Sequence, residues 1–147
     1  MARKRPAKIY TSYYRKMLDR HKEDNDIYIQ ISRSLGIPRK GVDGLYMSEL
    51  LDASWGEEFG MYSDDLKDYK HDLDKDDLDS FAEMLKEFND GERIFLLCFE
   101  NINKTYTKAD EEKYKNVKAG DKKKCHRTIL ADVLNKKYGF DIKEFES

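Results

Sequence analysis

Two segments in the last third of the chain hold the residue types that do chemistry. The first is Leu96-Leu97-Cys98-Phe99-Glu100, which closes an apolar run beginning at Ile94. The second is Cys125-His126-Arg127, which stands directly ahead of an amphipathic stretch. That pattern predicts a buried strand, a loop, and a helix whose first turn carries a thiol, an imidazole and a guanidinium. The first amides of a helix lack internal partners and the helix dipole adds positive charge, so such a turn binds anions. Arg127 adds a forked donor suited to phosphate or carboxylate. Lys122, Lys123 and Lys124 raise the local potential further. A cysteine beside an imidazole and a guanidinium at a helix start favours its thiolate, the state a nucleophile needs. Plainer roles stand beside these. Arg127 can pair with a core carboxylate such as Glu100, and Cys125 can be a small residue at a tight helix start.

Cys98, Glu100, Cys125 and His126 are also types that bind zinc. No close cysteine pair is present, and adjacent residues such as Cys125 and His126 chelate one ion awkwardly, so no metal and no cofactor is expected. The spacing from Cys98 to Lys104 is similar to the thiol-phosphate loop of cysteine phosphatases, in which an arginine closes the loop. Lysine holds that place here and no glycine lies between, which excludes that chemistry.

The elements that must position these residues follow from periodicity. Residues 1–8 form a basic arm. Ile9-Tyr10-Thr11 predicts a first strand, followed by a turn and a short helix. Ile27–Ile31 alternates branched and polar residues and predicts a second strand, ending at Ser32-Arg33. Leu45, Leu50 and Leu51 suggest a short helix before Trp55, and Gly56 and Gly60 break the pattern beyond. Leu78, Phe81, Ala82, Leu85 and Phe88 share one helical face, and Asn89-Asp90-Gly91 ends it. Ile94–Phe99 is apolar on both faces, as a central parallel strand should be. Residues 101–124 are a long lysine-rich loop with a helical turn near Glu111–Lys115. The helix from Cys125 shows Ile129, Leu130, Val133, Leu134 and Tyr138 on one side, with Gly139 as its cap. Phe140–Phe145 predicts a final short strand.

Strands alternating with helices argue a three-layer α/β domain with a small, mostly parallel sheet. In such sheets ligands sit beyond the carboxyl ends of the strands. Ser12 and Tyr13, Arg33, and Cys98 and Glu100 are expected to converge there, facing the helix that carries Arg127.

With 147 residues the chain is expected to be one domain. The net charge is only −2, but the charges are segregated. Residues 1–22 hold eight Lys/Arg against Asp19 alone, whereas residues 57–92 hold fourteen Asp/Glu against four Lys. A nearly neutral chain with poles of opposite sign still attracts an anion at one end. No apolar run follows the basic start and none is long enough to span a membrane, so a cytoplasmic protein with free thiols is expected. Tyr13, Tyr14 and Arg15, together with the Arg3–Lys8 arm, mix rings with basic groups in the manner of nucleic-acid binders. The acidic stretch 57–79 reads as a solvated face or as a surface for a protein partner. His21 and His71 lie among charges and are expected to be exposed.

The pairing of Leu96-Leu97-Cys98-Phe99-Glu100 with Cys125-His126-Arg127 resembles the domain of unknown function 488 family. Tyr10-Thr11-Ser12-Tyr13, and Ile31-Ser32-Arg33 through Gly36-Ile37-Pro38, resemble it in order and placement. The resemblance covers nearly the whole chain. It implies a small Rossmann-like α/β domain and no settled activity. About two dozen residues separate the two cysteine motifs here, where the family generally has a short loop.

Together these readings favour a protein that binds a phosphate-bearing ligand, a nucleotide or nucleic acid. The expected contacts are Ser12, Tyr13, Arg33, Cys98, Glu100 and Arg127, with Cys125 and His126 as the reactive pair if there is catalysis. The alternative is a non-catalytic adaptor that binds a protein through its acidic middle.

Overall fold

The computed structural model describes residues 7–32, 35, 38–59, 73, 78–89, 91–98, 107–113, 118–120 and 126–146. Five strands form one parallel sheet: β1 (Lys8–Tyr13), β2 (Asp26–Gln30), β3 (Ala53–Ser54), β4 (Arg93–Cys98) and β5 (Lys143–Glu144). Their order across the sheet is β3-β2-β4-β1-β5. Helices α1 (Tyr14–Leu18), α2 (Met47–Leu50), α3 (Gly56–Phe59), α4 (Leu78–Lys86), α5 (Lys108–Lys113) and α6 (His126–Tyr138) lie in the connections. This is an α/β three-layer fold of the Rossmann-like kind.

The sheet is sorted by its pleat. Successive strand residues point to opposite faces, and β4 shows both: Ile94, Leu96 and Cys98 join one core, Phe95 and Leu97 the other. The first core also takes Leu78, Phe81, Ala82 and Leu85 from α4, and Leu130, Val133 and Leu134 from α6. The second takes Tyr14, Met17 and Leu18 from α1, and Met47 and Leu50 from α2. Burial on both faces explains why β4 is apolar from Ile94 to Cys98.

The winding follows from this sorting. From β1 through β2 to β3 the chain moves one way across the sheet, with α1 and α2 on one face. From β3 through β4 to β5 it moves back, with α4 and α6 on the other, as crossovers of a single hand require. β4 is therefore flanked by β1 and β2, whose outgoing connections leave on the opposite face from its own.

Several boundaries differ from expectation. β1 continues through Tyr13 and passes into α1 without a turn, because β4 offers it hydrogen-bonding partners as far as Cys98. Ala7 is buried and Lys8, though exposed, is the first residue of β1, so these two residues belong to the core and the sheet rather than to an arm. β3 has only two residues, too few for alternation to show. Leu45 is exposed, and Met47 is buried with Leu50 in its place. Of the predicted final strand only Lys143 and Glu144 pair with β1, while Ile142 and Phe145 pack into opposite cores on either side. Gly139 does end α6, at φ +75, with its amide donating to Asn135 O at 3.1 Å.

At the amino ends of the strands Asp26 is fully buried. It accepts from Arg93 Nε at 2.8 Å and from the Glu23 amide at 3.1 Å. This cluster satisfies the carboxylate and leaves the polar groups at the carboxyl ends as the candidates for binding.

Candidate functional site

The carboxyl end of β4 is where the outgoing connections diverge, β4 to one face and its two neighbours to the other. Such a divergence leaves a crevice, the usual ligand position in a parallel α/β sheet. Cys98 ends β4 beside Tyr13 of β1 in the parallel register, and Ser12 stands beside Leu97. Ile31 extends β2 by donating its amide to Leu97 O at 3.0 Å. The first turn of α6 brings Arg127 to the same end.

Arg127 is fully buried, with no part of its side chain reaching solvent. Its Nε donates to Glu144 Oε1 at 2.9 Å and lies 3.2 Å from Oε2, and its Nη2 donates to Oε2 at 2.9 Å. Thr11 Oγ1 donates to Glu144 Oε1 at 2.6 Å. On the other side Arg127 Nη1 lies 2.9 Å from Cys98 Sγ, and the guanidinium sits 5.4 Å from the centre of the Tyr13 ring. A buried guanidinium requires such partners: a carboxylate to balance the charge, acceptors for its N–H groups, and an aromatic face.

A second cluster lies on the α1 face. Ser12 is fully buried and its Oγ has no hydrogen-bond partner among the described residues. Tyr14 and Ser32 are both buried and share a hydrogen bond of 2.5 Å between their hydroxyls. Burial pushes the Tyr14 phenol well above its ordinary range, so it stays protonated at neutral pH.

Gly56 fixes the position of Ser32. A Cβ at residue 56 would fall 1.9 Å from Ser32 O, so the backbones touch where any side chain would intrude. The glycine expected to break the chain instead opens α3 and packs it against the end of β2. Gly56→Ala is expected to lower stability by about 1–3 kcal/mol in thermal unfolding. Gly91→Ala, at a site with nothing within 4 Å, serves as the unaffected control.

Of the expected site residues, the structure brings Tyr13, Cys98 and Arg127 together and places Ser12 at the same strand end on the opposite face of the sheet. His126 is the first residue of α6. Arg33, Glu100 and Cys125 lie outside the described residues, as does Lys104 and most of the acidic stretch 57–79. Sequence reasoning missed Glu144 and Thr11. The available signal was period two: Glu144 is two residues from Ile142, so it shares the face on which α6 packs. It also missed the hydroxyl pair of Tyr14 and Ser32. His21 is exposed and paired with Asp43.

Among the described residues no group of three or more His, Cys, Asp or Glu can hold a metal ion. No described helix is long and apolar enough to cross a membrane. In comparisons with protein-family models, curated proteins and solved structures, nothing matches the chain.

Proposed function

We propose that the protein binds a phosphate-bearing ligand, a nucleotide or a nucleic-acid end, in the crevice beyond the carboxyl end of β4. The observation that carries this reading is the divergence of connections at β4, with Ser12, Tyr13, Cys98 and the first turn of α6 gathered at it. The opening amides of α6 supply donors for an anion. Ser12 supplies a hydroxyl that has no other described partner. Tyr13 offers a ring to a base or sugar, and Arg127 supplies charge. Should chemistry follow binding, Cys125 and His126 are its reactive pair. The reading is compatible with the resemblance to the domain of unknown function 488 family.

Thermal unfolding against nucleotides and 5′-phosphorylated oligonucleotides tests the proposal. A ligand at a hundred times its dissociation constant adds about 2.7 kcal/mol of stability. Such a shift is expected in the wild type and should shrink in Ser12→Ala. The variant alone should be as stable as the wild type or more so, because an unpartnered buried hydroxyl is removed. If an oligonucleotide is the ligand, its affinity should fall steeply with salt. The absence of a shift with any of these ligands would overturn the reading.

A further inference from the structure

Around Asp26, at the amino ends of β2 and β4, the acceptors are used up and the donors are not. Asp26 Oδ1 accepts from Arg93 Nε at 2.8 Å, and Oδ2 accepts from the Glu23 amide at 3.1 Å and from Arg20 Nη1 at 3.5 Å. That long contact is the only one Arg20 makes to a carboxylate among the described residues. Arg93 Nη2 stands 2.7 Å from Asp26 Oδ1 and 3.6 Å from Glu23 Oε2 but hydrogen-bonds neither. Tyr28 follows Asp26 on the same face of β2 and is 0% exposed. Its hydroxyl has no acceptor among the described residues, and the group beside it, Arg20, is itself a donor. Burial pushes this phenol up to about 12 against the pull of Arg20, so at neutral pH it keeps the hydrogen it can give.

We infer that this cluster is a phosphate site, with the group held between the Arg20 and Arg93 guanidiniums and the Tyr28 hydroxyl as a third donor. It lies at the end of the sheet opposite the crevice and does not depend on it.

The donors are held in place. Both guanidiniums lie over the Phe95 ring, at 5.7 and 5.5 Å, and Arg20 lies over Phe145 as well, at 4.9 Å. Tyr28 meets the same Phe95 ring edge-on. One ring thus gathers all three groups, and little side-chain freedom remains to be lost on binding. The guanidiniums are also within reach. The side chains of Arg20 and Arg93 are 22% and 25% exposed and that of Asp26 is 0% exposed, so an anion from solvent meets the cations first.

The charge points the same way. Lys8 stands beside Arg93 in the parallel register and is exposed, and Lys16 Nζ lies 5.5 Å from the centre of the Phe145 ring. Lys8, Lys16, Arg20 and Arg93 face two acids, Asp26 and Glu23, and Glu23 is exposed enough for solvent to screen it. Three donors suit the three oxygens of a phosphate better than the two of a carboxylate. On a polynucleotide strand Lys8 and Lys16 meet the neighbouring phosphates, whereas a free phosphate uses the three central donors alone.

Calorimetric titration with inorganic phosphate tests the site in wild type, Arg20→Gln and Tyr28→Phe, each checked for folding by circular dichroism. Each substitution should weaken binding about tenfold, the worth of a hydrogen bond to a charged group. Tyr28→Phe keeps the ring and removes only the hydroxyl, so it decides the matter if Arg20→Gln does not fold. A single-stranded oligonucleotide with hydroxyl ends separates the two sources. Binding whose salt slope falls by about 0.7 in Arg20→Gln assigns the site to a phosphate within a strand. Binding of inorganic phosphate alone assigns it to a free phosphate. No binding of either probe, or binding that the folded variants leave unchanged, would overturn the site and leave the crevice reading standing.

Discussion

Glu144→Ala is expected to destabilise the protein by about 3–5 kcal/mol, because it removes one partner of a buried ion pair from a fully buried Arg127. Urea unfolding followed by circular dichroism reads the loss as a lower midpoint at unchanged slope. The size of the effect comes from asymmetry. The intact pair has a carboxylate that accepts from Nε, Nη2 and Thr11 Oγ1, so both charges are satisfied. Removing the carboxylate takes away a counter-charge and the acceptor of three hydrogen bonds while the desolvation penalty of the guanidinium stays. Replacing both partners, as in Arg127→Met with Glu144→Leu, removes the charges together and should restore most of the loss. A double variant as unstable as Glu144→Ala would show that the cost lies in packing at the β5 edge rather than in the broken ion pair.

Phe95→Ala should be comparably severe, at about 3–5 kcal/mol. Phe95 is fully buried in the central strand. Its ring stacks on Tyr10 at 5.6 Å and meets Tyr28 and Phe145 edge-on at 5.5 and 5.0 Å. The guanidinium groups of Arg20 and Arg93 lie over it at 5.7 and 5.5 Å. Truncation leaves a cavity walled by three rings that are themselves fixed, so the surroundings collapse only in part. Phe95→Leu keeps much of the volume and should cost less than about 1.5 kcal/mol. Equal losses for the two substitutions, measured by the same unfolding curves, would argue that the aromatic contacts rather than the cavity set the cost.

The parts of the molecule legible in the sequence are those built from local periodicity. The face Leu78, Phe81, Ala82, Leu85 could be seen because a helix repeats its contacts every third or fourth residue. β4 was visible as an unbroken apolar run, and α6 as a periodic stretch closed by Gly139. The parts that were not legible depend on partners far away in the chain. The extension of β1 to Tyr13 rests on pairing with Cys98, and β3 exists only because Ala53 and Ser54 lie beside Ile29 and Gln30. Glu144 of the final strand pairs with Arg127 and was not foreseen, while Glu100, the acid considered for that role, lies outside the described residues. Register between β5 and β1 decides this, and nothing within either segment reveals it. Gly56 was taken for a breaker because a close approach between two backbones leaves no pattern in either one.

The position of β4 in the sheet has a consequence for how the chain acquires its structure. β1 and β2 lie early in the chain and are separated in the sheet by a strand that begins only at Arg93. Neither can pair with the other, and both complete their hydrogen bonds on the same late partner. Until β4 is available the chain has no central strand about which to condense, so the transition state must close loops spanning much of the molecule. Chains dominated by such distant pairings fold slowly for their size. On the ribosome, β1 and the facing edge of β2 wait unpaired until residues 93–98 emerge, and α6 and β5 complete the core and the sheet after them.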